Sequence, residues 1–503
     1  MNFEQLLDGL AYGFQPDSLL VIVLGVLVGW LVGAAPGLGP PVGMSLMLPL
    51  ALTISAEDAV LLLVSVFIAA SYAGSVPGIL LKIPGTTSSM MAAIEGYPMH
   101  QRKEGGRAMA ISLVSSIFGQ LVSITIFILA VIPLSQFAVR LLFPEMFVIV
   151  LVGLVSGAAL VGNDVIKGIV ATAIGLLFSC VGTDPNTGTD RFTFGIAELH
   201  SGIDMLPVII GLLAFREVFA AANVSTWVKP VRQKLRVMLT KSDLREIAGP
   251  SVLGAGVGTF IGAVPGAGGS IAAFLTYGFI GRGRRRSEFG KGSRGALAGI
   301  ESANNAAIGG ELIPTFGLGV PGAPAMVVIM AALTAQGLVP GPKLFESRPQ
   351  LLYATFGGMI TATLVLAVIG FILIKPAIYV TSVSPAVVLT ATAALVVVGV
   401  YALRWQMFDV LIAFIAGLVG YLLDKQKYPV ALVALAYVLG PIMEANLRRG
   451  LIMTDGLVGF FTRPIVIGGL VLAIFLLFWD QIKTLATSTA RKHGSGKEKE
   501  PAT

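Results

Sequence analysis

Long apolar runs alternate with short polar or Gly/Pro-rich stretches along almost the whole chain. A helix needs about 20 apolar residues to cross roughly 30 Å of hydrocarbon. Residues 19–34, 59–79, 108–134, 146–161, 166–181 and 205–221 form a first series of such runs. A second series covers 252–264, 296–313, 351–374, 386–402, 410–423, 430–443 and 465–478. Several runs are short or broken by Gly or Pro. The pattern therefore predicts an all-α polytopic membrane protein with about 10 to 14 membrane segments.

Composition agrees with this. Only 12% of the 503 residues are charged, against about 25% in a soluble globular protein, so most of the chain has no water to face. The 61 glycines and 27 prolines are tolerated in membrane helices and also break them. The one cysteine, Cys180, excludes an intrachain disulfide and reads as core packing. The net charge of +7 does not point to nucleic acid, because Lys and Arg cluster in short loops, as they do on the cytoplasmic side of a membrane. Residues 1–15 contain no Lys or Arg and so lack the basic start of a secretory signal. The first apolar run is expected to be retained.

The two series resemble each other. Gly33-Ala-Ala-Pro-Gly-Leu-Gly39 matches Gly262-Ala-Val-Pro-Gly-Ala-Gly268, and Ile83-Pro84-Gly85 matches Val320-Pro321-Gly322. Glu95-Gly-Tyr-Pro98 precedes a basic loop as Gln336-Gly-Leu-Val-Pro340 does, and Asp164-Val165 stands to Gly175 as Asp409-Val410 stands to Gly420. An ordered series of this kind argues for duplication. It divides the chain into a first membrane repeat (1–224), a basic cytoplasmic linker (225–249), a second repeat (250–450), a C-terminal membrane helix (451–490) and a charged disordered tail (491–503). The linker region holds Lys229, Arg232, Lys234, Arg236, Lys241 and Arg245. Positive charge changes place between equivalent loops. The loop after the first Pro-Gly carries Glu57 and Asp58 in one half, but Arg282 and Arg284 to Arg286 in the other. Under the positive-inside rule the halves have inverted topology. The stretch 250–280 must then cross twice or enter and return, and with Pro265-Gly266 at its middle a re-entrant hairpin fits. Arg448 and Arg449 fit less well, because the same count places them outside.

No enzyme constellation appears. The histidines His100, His200 and His493 lie in no His-Glu-x-x-His pattern, there is no Walker loop, and Asp58, Asp164 and Glu217 sit at run edges. Neither catalysis nor a bound metal is expected, and no cofactor beyond a coupling cation. Four Pro-Gly breaks in register are informative, because non-helical backbone within a membrane must be buried in protein or line a cavity. Amides freed at half-helix N-termini suit a carboxylate, and freed carbonyls suit Na⁺. The candidate substrate residues are Pro36, Gly37, Gly39, Pro84, Gly85, Thr86, Thr87, Ser88, Pro265, Gly266, Gly268, Pro321 and Gly322. Kinks and tight packing positions are the plainer reading of the same breaks. Thr86 to Ser89 could present hydroxyls to an anion or cap a helix. Lys82 is either a counter-charge for an anion or a snorkelling residue. Glu301, Asn304 and Asn305 are candidates for the coupling ion or the substrate, and interhelical packing is the alternative; Glu311 lies further along the same segment.

At these residues the chain resembles the large membrane subunit of the tripartite tricarboxylate transporters. The resemblance rests on the Gly33–Gly39 stretch, Tyr72-Ala-Gly-Ser75, Ile83-Pro-Gly-Thr86, Glu95-Gly-Tyr-Pro98, Phe289-Gly-Lys-Gly292, Glu301-Ser-Ala-Asn-Asn305, Leu318-Gly-Val-Pro-Gly322 and Gly337-Leu-Val-Pro-Gly-Pro342. It implies a bacterial inner-membrane complex with a small membrane subunit and a periplasmic substrate-binding protein. It also implies uptake of a di- or tricarboxylate driven by Na⁺ or H⁺. Lys82 stands where the family usually has a neutral residue, Glu95 where Asp is common, and Ala73 where Gly is common. An ion channel or a membrane scaffold is the alternative class.

Overall fold

The computed structural model describes residues 3–35, 38–83, 86, 88–161, 164–184, 187–221, 237, 239–281, 289–381, 383 and 385–478. Most of the basic linker, the Arg282–Arg286 cluster and the charged tail lie outside them. The first half contains α1 (Phe3–Tyr12), α2 (Pro16–Ala34), α3 (Pro40–Ala51), α4 (Ala56–Ala73), α5 (Ser75–Leu81) and α6 (Met90–Gln101). Then come α7 (Gly105–Ala138), α8 (Phe143–Val161), α9 (Val165–Ser179) and a small hairpin pairing Gly182–Thr183 with Asp190–Arg191. The half ends in α10 (Met205–Ile210), a π-helical turn over Gly211–Phe215 and α11 (Arg216–Ala221). The second half has α12 (Lys241–Gly262), α13 (Gly268–Ile280), α14 (Arg294–Leu318), α15 (Pro324–Ala335), α16 (Leu344–Ser347) and α17 (Pro349–Ile374). After these follow α18 (Ala377–Val380), α19 (Pro385–Arg404), α20 (Met407–Lys425), α21 (Val430–Met453) and α22 (Leu457–Phe461).

Local chemistry sets the helix starts. Ser55 and Ser293 cap α4 and α14, Asp164 caps α9, and Thr240 with Asp243 forms a capping box on α12. Proline opens α2, α3, α15 and α17, where a missing N–H costs nothing. Among the described residues, seven helices are long and apolar enough to cross a membrane, and six more apolar helices are shorter. Apolar runs alone missed α3, α6, α13 and α15. Each has 12 or 13 residues, too few for a span. Cys180 is the C-cap of α9 and only partly buried, not a core residue.

The halves pack by one rule. Gly25, Gly29 and Gly33 of α2 bring its backbone against Leu62, Val66 and Ala70 of α4. Gly254, Gly258 and Gly262 of α12 do the same against Gly299, Ala303 and Ala307 of α14. Small residues every fourth position permit this close approach. Contacts between the halves are reciprocal. α7 lies along α14 and α17 along α4; α9 packs on α21, and α20 packs on the α10–α11 segment. α7 and α17 run in opposite directions, since Phe127 meets Phe356 and Leu113 meets Gly370. Phe316 joins Phe127 and Phe356 in the centre of the core.

The α12–α13 hairpin begins and ends at the same face of the molecule. Its start is tied by Asp243, which pairs with Arg107 at 2.6 Å and Arg294 at 3.2 Å. Burial opposes the charge on Asp243, but hydrogen bonds from Arg107 and Thr240 outweigh it and hold the carboxyl below its ordinary range. Beyond its far end, Arg102 donates to the carbonyls of Lys291 and Gly292. The two arginines that fitted the charge count poorly have local partners. Arg448 bonds Asp184 and Glu444, and Arg449 lies over the Phe143 ring.

Candidate functional site

Helix α14 is the axis of the site. Every residue from Gly295 to Gly317 is buried, although the helix carries Glu301, Asn304, Asn305 and Glu311. Polar groups without water need internal partners, and α14 finds them on two faces.

The first face looks at α7. Asn305 Nδ2 donates to Ser116 Oγ at 2.8 Å and to the Glu301 carbonyl at 3.1 Å. Ser116 Oγ in turn donates to Glu301 Oε2 at 3.4 Å. The hydroxyls of Ser75 and Ser112 also lie close to this carboxylate but without hydrogen-bond geometry, and the Tyr72 phenol feels its charge. Tyr72-Ala-Gly-Ser75 and Glu301-Ser-Ala-Asn-Asn305, more than 200 residues apart in the chain, therefore form one cluster.

The second face looks at α13 and α4. Asn304 Nδ2 donates to the Ser71 carbonyl at 3.2 Å, and its Oδ1 stands beside Gly269. Glu311 accepts the Gly269 N–H at the start of α13, while its Oε2 has no hydrogen-bond partner. The two breaks of the second half meet here. Gly266 N–H donates to the Gly322 carbonyl at 2.8 Å, and Gly322 N–H donates to Thr315 Oγ1 at 3.1 Å. Gly266 and Gly268 have φ of 82° and 63°, conformations that favour glycine. Pro265 and Pro321 flank this contact in the sequence. The adjacent asparagines thus serve different faces: Asn305 sits with Glu301, and Asn304 sits with Glu311.

In the first half, Pro36, Gly37, Pro84, Gly85 and Thr87 lie outside the described residues. Gly39 precedes α3 and lies near the Thr86 side chain, which also abuts Gly74. The hydroxyls of Thr86 and Ser88 bond each other at 2.9 Å, and Thr86 and Ser89 exchange bonds between backbone and side chain. Helix α6 starts only at Met90, and Ser89 gives it no side-chain cap. Among the described residues, the Thr86 hydroxyl also accepts the Ser89 N–H, and the Ser89 hydroxyl donates to the Thr86 carbonyl.

Lys82 is the C-cap of α5 at φ 61°, and Gly319 holds the equivalent C-cap of α14 at φ 73°. The first half therefore places lysine where the second uses the residue suited to a left-handed turn. Its ammonium lies 5.8 Å from the centre of the Tyr97 ring, a cation–π contact. Lys82→Gly is expected to be more stable than Lys82→Ala by about 1 kcal/mol, because both lose the ring contact but only alanine keeps the backbone strain. Thermal unfolding of the two purified variants checks this, and an alanine variant equal to the glycine variant would refute it.

Sequence reading missed the role of Glu95. Its fully buried carboxylate accepts from Tyr277 Oη at 2.9 Å and from the amides of Gly290 (2.7 Å), Gly292 (3.0 Å) and Ser293 (2.8 Å). The Glu95-Gly-Tyr-Pro98 motif of one half is thus received by Phe289-Gly-Lys-Gly292 of the other. Gln336, its counterpart, bonds the carbonyls of Ala51 and Ile54 in the opposite half at 3.0 and 3.3 Å. Tyr72, Ser75, Ser112 and Ser116 likewise carry no signal in the sequence that places them beside Glu301. Ser112 and Ser116 stand four apart on α7, a helical face that the apolar run around them conceals.

The chain is 33% identical over 467 residues to an Agrobacterium vitis protein described as an uncharacterized 52.8 kDa protein in the TAR-I ttuC' 3'region, covering 92% of this chain and 93% of that one. A second Agrobacterium vitis protein, described as an uncharacterized protein in the TAR-II ttuC' 3'region, is 33% identical over 210 residues, covering 41% of this chain and 87% of its own length. No solved structure matches. Residues 19–435 match the family described as the tripartite tricarboxylate transporter TctA family, and the chain belongs to it.

Proposed function

We propose that this multi-pass protein is the translocating subunit of a secondary transporter in the bacterial inner membrane. It imports a small organic anion of the di- or tricarboxylate class and works with a small membrane subunit. A periplasmic binding protein delivers the anion, and a Na⁺ or H⁺ gradient drives uptake. The observation that carries this reading is α14, buried from Gly295 to Gly317, with two carboxylates to which no Lys or Arg is paired among the described residues. A rigid scaffold has no use for buried acids without counter-charges, whereas a coupling cation needs them. The architecture supports the same reading as an inverted repeat. Equivalent glycine stripes stand 229 residues apart and their partners 237 apart, the contacts between halves are reciprocal, and α7 and α17 run in opposite directions. Broken helices then meet near the middle of the bundle, where transporter sites form.

Reconstitution of the chain with its small membrane subunit in proteoliposomes tests the proposal. Saturable uptake of labelled di- or tricarboxylates is expected only with the binding protein outside and an inward cation gradient. Uptake that neither saturates nor needs either component would instead indicate a channel.

A further inference from the structure

We propose that Tyr72, Ser75, Ser112, Ser116, Glu301 and Asn305 form a binding site for one dehydrated monovalent cation of sodium's size. The proposal rests on the transport reading above and names its coupling ion. All six side chains are at least 99% buried. Four of their polar atoms, Tyr72 Oη, Ser75 Oγ, Ser112 Oγ and Asn305 Oδ1, have no hydrogen-bond partner. Orphaned polar atoms are rare in folded proteins, and four together around a buried carboxylate call for an occupant.

The donor set selects the occupant. Every free group is a carboxylate, hydroxyl or amide oxygen, and no imidazole or thiolate takes part, which suits a hard cation rather than a transition metal. Hard cations of this size take about six oxygens, and the cluster offers that many. A single carboxylate balances one positive charge, whereas a divalent ion would leave uncompensated charge in a dry core. A proton would occupy one oxygen and leave the others orphaned. Ser116 links the carboxylate to Asn305, which positions both for one occupant.

The location gives the site its consequence. Its ligands come from the α4–α5 segment and α7 of the first half and from α14 of the second. A bound cation fixes α14 against both. The opposite face of α14 bears Asn304 on Ser71 and Glu311 at the paired breaks, so occupancy of one face sets the register of the other.

The test is binding of ²²Na⁺ to the purified chain without any organic anion, together with thermal unfolding in NaCl, KCl or choline chloride at equal ionic strength. Saturable binding of one Na⁺ per chain is expected, with stabilisation by Na⁺ over K⁺ and choline. Glu301→Gln is expected to abolish binding, and Ser112→Ala, a mild change inside a helix, to weaken it at least about tenfold. Equal stabilisation by all three salts, a response to pH alone, or unchanged affinity in Ser112→Ala would overturn the site. Loss of coupled uptake with Na⁺ binding intact would instead strike the transport reading and leave the site standing.

Discussion

Glu95→Gln is expected to destabilise the protein by roughly 3 kcal/mol or more and to expose the 289–293 loop to solvent reagents. Hydrogen bonds to a charged group contribute about 1.5–3 kcal/mol each, and Glu95 accepts four, three of them from backbone amides of one loop. Gly290 and Gly292, at φ 75° and 92°, turn successive amides inward as a concave nest for an anion. Glutamine keeps one acceptor and turns the other oxygen into a donor facing a donor. Whichever way the amide turns, at least one backbone N–H loses its partner in a buried site: Gly290 on the Oε1 side, or Gly292 and Ser293 on the Oε2 side. Tyr277→Phe removes a single bond and is expected to cost about 1 kcal/mol. Gln336→Ala, at the counterpart contact, removes neutral bonds and should cost a similar amount. The loop is read by maleimide labelling of Lys291→Cys in a Cys180→Ala background, which leaves one thiol. Faster labelling and a lower unfolding midpoint with Glu95→Gln are expected. Equal labelling with and without Glu95 would show that the carboxylate does not hold the loop.

The Glu95 nest also shows where sequence reading stops. Both partners were visible as motifs, and their residue types were informative. Nothing in one sequence says that a motif in one half is received by a motif in the other, because that follows from how the halves interlock. The same holds for the Tyr72–Ser75 and Glu301–Asn305 motifs. The helices themselves were legible where a run was long, as in α7 and α17, since length against bilayer thickness decides such runs. The short helices beside the breaks were not, because 12 apolar residues beginning with Pro40-Pro41 are too few to span the bilayer and follow directly on a Gly/Pro break. Adjacent asparagines looked like a pair, but neighbouring helical positions point about 100° apart, and the two serve different faces.

The glycine stripes are readable in the sequence as small residues at every fourth position, and they yield the second large effect. Gly258→Leu is expected to cost about 3 kcal/mol or more and to reduce the yield of monodisperse protein sharply. A Cβ at Gly258 would collide with the backbone of Ala303, and backbone cannot rotate aside as a flexible side chain can. Overpacking commonly costs 1–3 kcal/mol even where side chains can adjust. Here α12 must move off α14, which carries both Glu301 and Glu311, so the site is disturbed together with the fold. Gly256, two residues earlier on the same helix, has nothing within 4 Å of its would-be Cβ. Gly256→Leu removes a helix-disfavouring residue, a gain of up to about 1 kcal/mol, and is expected to be neutral or stabilising. The pair separates helix propensity from close packing, because propensity predicts the same sign for both substitutions and packing predicts opposite signs. Thermal midpoints and size-exclusion profiles of the two variants decide between them, and a common response would mean that the stripe does not set the distance between α12 and α14. Gly29→Leu, in the equivalent stripe against Val66, should repeat the Gly258 result if one packing rule governs both halves.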